Sequence, residues 1–240
     1  DTASNLATNT GSYVAAGKNV TVSDAASVAQ LTSIDTDNGN GTLTYTALED
    51  TASNLATNTG SYVAAGKNVT VSDAGTIAQI AAIDAANGGT GITYTSLEDT
   101  GSNLATNTGS YLTGSIDATV SDAATISQLT TITNSTSGTV SYAAVSGSIS
   151  DLLDDAASNN GSGTYVKQNK NTTVTGDATI AQLTQLNAAS ATVTYSSIED
   201  TASNLATNTG SYVAAGTNVT VSDAATIAQL TTINADNGNG

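Results

Sequence analysis

Apolar and polar residues alternate in short runs that recur along the whole chain. Asn19-Val20-Thr21-Val22-Ser23 alternates as a half-buried strand does, with Val20 and Val22 on one face and Thr21 and Ser23 on the other. The period then changes. Val28, Leu31 and Ile34 fall three apart, which predicts a helix over Ala25 to Ile34 with its apolar stripe against the strands and Asp24 at its N-cap. Later copies keep the stripe as Ile77, Ile80 and Ile83. The Asp-, Asn- and Gly-rich stretch from Asp35 to Gly41 predicts a turn, because Gly and Asn tolerate left-handed backbone. Thr42-Leu43-Thr44-Tyr45-Thr46 alternates again. Glu49-Asp50 is then expected to open a second helix, its carboxylates beside the free amides and Ala52 and Leu55 facing inward.

This grammar repeats. DTASNLATNTGSYVAAG occurs at Asp1, Asp50 and Asp200, with a near copy at Asp99 and a degraded one near Asp155. The equivalent residues Val22, Val71, Val120, Val174 and Val221 are 49, 49, 54 and 47 positions apart, so the fourth repeat carries an insertion. Each 49-residue repeat holds two strand-helix halves of roughly 24 residues. Connections this short imply parallel strands with right-handed crossovers. The expected fold is α/β: a parallel αβ-solenoid of about nine strand-helix units forming one sheet about 40 Å long, given the ~4.8 Å strand spacing.

The domain reading is one continuous array over residues 1–240. Its repeats are 1–49, 50–98, 99–150, a divergent 151–199 and a partial 200–240. About ten large apolar side chains per repeat are too few to offset the chain's conformational entropy, so one repeat is not expected to fold without neighbours. No capping segment is evident at either terminus and no initiator Met is present. The chain therefore reads as an excerpt of a longer protein or a processed product.

Composition narrows the chemistry. His, Cys, Met, Trp, Phe, Pro and Arg are absent, which removes the imidazole base, the thiolate nucleophile and the usual transition-metal ligands. The net charge of -16, from 20 acidic residues against four Lys, repels nucleic acid and acidic membrane surfaces. No run reaches the ~20 apolar residues that span a bilayer, so membrane insertion is not expected. Acidity and lack of Cys suit a chain exported unfolded to an extracellular or cell-surface location.

Three features are candidates for function. The outward column Thr21, Thr44, Thr70, Thr93, Thr119, Ser141, Thr173, Thr194 and Thr220 bears a hydroxyl at every step. Copied β-branched strand positions are the simpler account of such a column, and a flat face for ice or glycan is the functional one. Repeated Thr-x-Thr ladders resemble the ice-binding faces of β-solenoid antifreeze proteins. The spacing of Asp35, Asp37 and their counterpart Asp236 around Asn-Gly partly matches a calcium loop, with a plain Asn-Gly turn as the simpler account. No other cofactor is implied.

The third feature is the divergent stretch from Ser146 to Asn171, where Asp151, Asp154 and Asp155 precede Lys167 and Lys170. It reads as a lateral contact site or as drift of an unconstrained repeat. The recurring pairs Glu49-Asp50, Glu98-Asp99 and Glu199-Asp200 suggest helix capping rather than acid-base catalysis, since an active site occurs once and a helix start occurs in every repeat. All nine Tyr fall at two repeat positions, which argues for packing.

The strings DTASNLATNTGSYV and VTVSDAATIAQL resemble the tandem repeats of very large secreted or surface proteins of bacteria, including cyanobacteria. The resemblance implies extracellular scaffolding and carries no catalytic residue. The expectation is a non-enzymatic component of an extracellular filament, stalk or surface layer, self-associating through the array's ends. The alternative is a binding module using the Thr/Ser face as an ice- or glycan-binding adhesin.

Overall fold

The computed structural model describes residues 1–161 and 163–238. In chain order the elements are α1 (Ala3–Thr8), β1 (Val20–Thr21), α2 (Val28–Asn38), β2 (Leu43–Thr44), β3 (Ala47–Asp50), α3 (Ala52–Thr57), β4 (Asn68–Val71) and α4 (Ile77–Asn87). There follow β5 (Ile92–Thr93), β6 (Ser96–Asp99), α5 (Gly101–Thr106), β7 (Asp117–Thr125), α6 (Ile126–Ser135), β8 (Val140–Gly147) and α7 (Ile149–Gly161). The last are β9 (Asn171–Val174), β10 (Asp177–Ala178), α8 (Ile180–Ala189), β11 (Thr192–Thr194), β12 (Ser197–Asp200), α9 (Ala202–Thr207), β13 (Asn218–Val221) and α10 (Ile227–Asp236). The chain forms two compact units. One comprises Asp1–Asp99, Thr106–Thr119 and Thr133–Ser141, the other Thr100–Ala105, Val120–Ile132 and Tyr142–Gly240.

In the first unit β1 pairs with β2 in parallel, Thr21 opposite Thr44. β4 lies between β3 and β5, again in parallel. Single bridges Ala26 to Leu48 and Gly75 to Leu97 extend the contact past the bend that follows each valine strand. Helices α1 and α2 pack together, as do α3 and α4. Leu31, Ile34, Leu48, Leu55, Ile80, Ile83 and Leu97 are fully buried, so the three-spaced apolar positions face the strands as their period requires.

In the second unit β9 lies between β8 and β11, and β12 lies between β10 and β13, all in parallel. Helix α7 packs on α8, and α9 on α10. Leu152, Leu183, Leu186, Ile198 and Leu205 form the core there.

The expected α/β class and parallel pairing are present. The expected single sheet is not: the strands form several short, separate sheets. The cause is local. Leu43–Thr44 and Ala47–Asp50 belong to one extended stretch, but a bend at Tyr45 and Thr46 divides it, and the two halves pair with different neighbours.

The helix boundaries also differ from expectation. The helix predicted over Ala25 to Ile34 is Val28–Asn38. Ser27 is its N-cap, closing a capping box with Gln30, while Ala26 stays extended to bridge Leu48. Asp35, Asp37 and Asn38 are therefore helical, and the turn begins only at Gly39, where φ is 57°. In the divergent repeat the six-residue helix becomes the 13-residue α7.

Candidate functional site

The most regular geometry in the molecule is a set of aspartates that each hold the first amide of a helix one strand-helix step earlier. In the first unit, Asp24 Oδ1 accepts from Ala3 N–H at 2.7 Å, Asp50 Oδ2 from Val28 at 3.0 Å, Asp73 Oδ1 from Ala52 at 2.6 Å and Asp99 Oδ2 from Ile77 at 3.0 Å. In the second, Asp122 accepts from Gly101 at 2.7 Å, Asp200 from Ile180 at 3.0 Å and Asp223 from Ala202 at 2.7 Å. A carboxylate here meets an otherwise unsatisfied N–H at the positive end of the helix dipole. Each contact is worth about 1–2 kcal/mol.

These contacts correct the capping expectation. Asp24 does not cap the helix that follows it, because Ser27 already does; it reaches back 21 residues to α1. Asp50 serves two helices. Its Oδ1 accepts from Thr51 N–H and Asn54 Nδ2, both at 2.8 Å, beside the N-cap Thr51 of α3, while its Oδ2 latches α2. Glu49 has no capping role: it is exposed on β3, opposite Thr70.

Two internal steps lack this contact among the described residues. At α7, Gly176 stands where other repeats have Asp24, Asp73, Asp122 and Asp223. At α6, Ser146-Gly147 stands where other repeats have Glu-Asp, so no carboxylate projects from that position toward the start of the helix. A cavity of about 530 Å³ lies there, bounded by Ile126, Gly147, Asp151 and Asp154 among others. Asp155 is structural, its Oδ2 accepting from Tyr165 N–H at 3.0 Å and Val166 N–H at 2.7 Å. Ser148 caps α7, its Oγ accepting from Asp151 N–H at 3.2 Å and donating to Asp151 Oδ2 at 2.7 Å. Lys170 lies over the Tyr142 ring, 4.3 Å from its centre. The divergent charges are thus drawn largely into the protein's own packing.

The tyrosines pair. Tyr45 with Tyr62, Tyr142 with Tyr165 and Tyr195 with Tyr212 meet edge-to-face, with ring centres 6.0–6.2 Å apart. Tyr45 Oη donates to Tyr62 C=O at 2.7 Å, and Tyr62 Oη to Asp35 at 3.1 Å. Lys67 crosses the Tyr45 ring at 4.1 Å and donates to Tyr45 C=O at 2.7 Å. Burial pushes the Tyr45 phenol above its ordinary value, helped by Tyr62 and Asp35. Burial also raises Tyr62, Tyr94, Tyr111, Tyr142 and Tyr195. Tyr13 stands apart, 84% exposed.

The hydroxyl column is placed on the strands but is not one file. Thr21 lies opposite Thr44, Thr70 opposite Thr93 and Thr173 opposite Thr194. On their other side, however, Thr70 faces Glu49, Thr173 faces Ser146 and Thr220 faces Glu199. The column is thus made of Thr pairs with a carboxylate or serine beyond them. Thr21, Thr44, Thr93, Thr119, Ser141, Thr194 and Thr220 are exposed, and Thr70 and Thr173 are half-buried. The alternation reveals which side chains point outward, but not the register that decides which become neighbours.

The calcium-loop candidates lie on helices and are used otherwise. Asp37 Oδ2 accepts from Asn9 Nδ2 at 2.9 Å, Asp236 Oδ2 from Asn208 Nδ2 at 3.1 Å, and Asp35 holds Tyr62. Among the described residues no three acidic side chains cluster in a way that holds a metal ion. Asn38 and Asn87 are fully buried, and their Oδ1 atoms have no partner among the described residues.

No protein-family model, curated protein or solved structure matches the chain. Among the described residues no helix is long and apolar enough to cross a membrane.

Proposed function

We propose that this chain is a structural repeat protein of an extracellular filament, stalk or surface layer, with its steps stacked as a parallel αβ-solenoid and no catalytic role. The observation that carries the reading is the aspartate latch, which recurs between successive steps with nearly constant geometry. Catalysis needs one distinctive constellation. A contact repeated at seven helices instead builds length, each latched step completing the one before it. Acidic composition without Cys fits an extracellular location, and the repeat strings resemble those of secreted and surface bacterial proteins. Electron microscopy of the native material tests the proposal. It predicts continuous filaments or a lattice; discrete isolated particles at every concentration would refute it.

A second reading, a binding module for ice or glycan, is favoured by the exposed Thr21/Thr44 pair and its counterparts. Glu49 and Glu199 beside the Thr rows make that face less uniform than a hydroxyl array. Thermal hysteresis, compared between the protein and a Thr44→Lys, Thr93→Lys variant, separates the two. No hysteresis in either protein excludes ice.

A further inference from the structure

Helices α2, α4, α6 and α8 begin alike. Each N-cap hydroxyl accepts from the amide of the glutamine three residues on: Ser27 from Gln30 and Thr76 from Gln79 at 3.1 Å, Thr125 from Gln128 and Thr179 from Gln182 at 3.2 Å. Each glutamine Oε1 accepts the N-cap amide in return, at 2.8–2.9 Å. Local capping therefore holds the four first turns equally.

They differ in what the following step supplies. Asp50, Asp99 and Asp200 latch Val28, Ile77 and Ile180, all three only 6–7% exposed. Gly147 occupies the same register, lying opposite Val174 as Asp50 lies opposite Val71 and Asp200 opposite Val221. It has no carboxylate to offer Ile126, which is half-buried and lines the cavity of about 530 Å³.

Helix α7 has lost its latch too but is compensated from within. Asp151 places a carboxylate in its first turn, Ser148 caps it, and Ile149 stays buried. The first turn of α6 carries no acidic residue. It therefore has neither the latch nor a charge of its own.

We propose that the first turn of α6 is a built-in point of local opening, which unwinds while the first turns of α2, α4 and α8 stay closed. The bond that would tie Ile126 to the following step is missing, its apolar burial is incomplete, and the cavity gives the turn room to move. Loss of one charge-assisted contact at a helix start shifts the opening equilibrium by roughly tenfold. Leu129 and Ile132 are fully buried, so the opening is confined to the start of the helix. It is independent of the filament reading.

Amide hydrogen exchange followed by nuclear magnetic resonance tests this on the intact protein. Gln30, Gln79, Gln128 and Gln182 donate the same bond, so their exchange reports opening of the turn rather than presence of the bond. After correction for neighbouring side chains, Gln128 is expected to exchange about tenfold faster than the other three. Gly147→Asp is expected to slow Gln128 to their rate and Gly147→Ala to leave it fast; the added Cβ would lie 3.6 Å from Leu152, in ordinary contact. The converse variant Asp50→Gly is expected to speed exchange at Gln30 by about tenfold. Equal exchange at the four glutamines of the parent protein overturns the proposal, and so does a slowing by Gly147→Ala that matches Gly147→Asp.

Discussion

Asp50 Oδ2 accepts the backbone N–H of Val28 at 3.0 Å, although 22 residues separate them. The same carboxylate's Oδ1 organises the start of α3. One side chain therefore fixes two consecutive helices relative to the strands between them, and the first amide of α2 is satisfied only when the following step is folded. The folding of each latched step is coupled to that of its successor.

The first consequence concerns stability. Asp73→Ala removes the latch on Ala52 and is expected to lower unfolding free energy by about 1–2 kcal/mol. Asp73→Asn keeps an acceptor without its charge and should lose less. Urea titration followed by far-ultraviolet circular dichroism measures both. Equal stability of all three proteins would show that the latch contributes nothing.

Leu31 is fully buried on the stripe that α2 turns toward the strands. Leu31→Ala is expected to cost about 2–5 kcal/mol through lost burial and the cavity it leaves. At exposed Leu230 the same change should have a much smaller effect in the monomer. Comparable losses at the two positions would contradict the assigned burial.

Gly60 has φ of 83°, and a Cβ there would run into the Tyr62 ring. Gly60→Ala is therefore expected to destabilise through both backbone strain and displacement of the ring. Loss of near-ultraviolet dichroism ahead of far-ultraviolet signal would report the ring's release. An unaltered tyrosine spectrum would contradict the close approach.

Alkaline titration follows from the buried phenols. Burial raises the folded pKa of Tyr45, Tyr94, Tyr142 and Tyr195 above the ordinary value of about 10. The unfolded chain therefore loses these protons first. The contribution to stability is complete below pH of about 10 and is lost as pH rises through the higher folded values. Phenolate absorbance should lag behind that of the protein in denaturant and then rise together with unfolding. Coincident titration of folded and denatured protein would contradict this.

Much of the local structure was legible in the sequence because it depends on near neighbours. The period-2 run at Val20 to Val22 and the period-3 stripe through Leu31 located a strand and a helix. The helix start was misplaced because Asp24 is a good N-cap by type, although Ser27 with Gln30 three residues later is the stronger signal. The destination of Asp24 was not legible at all: its partner, Ala3, lies 21 residues away and is fixed by how successive steps align. Likewise, alternation placed Thr70 outward, but only strand register set Glu49 beside it.

The most direct test of the account is the axial repeat of the assembly it proposes, measured by fibre diffraction or by cryo-electron microscopy of aligned material. Stacked strand-helix steps predict a meridional spacing of ~4.8 Å and a repeat of about 9.6 Å for each 49-residue double step. A 4.8 Å spacing perpendicular to the long axis, or no regular axial repeat in ordered material, would contradict it.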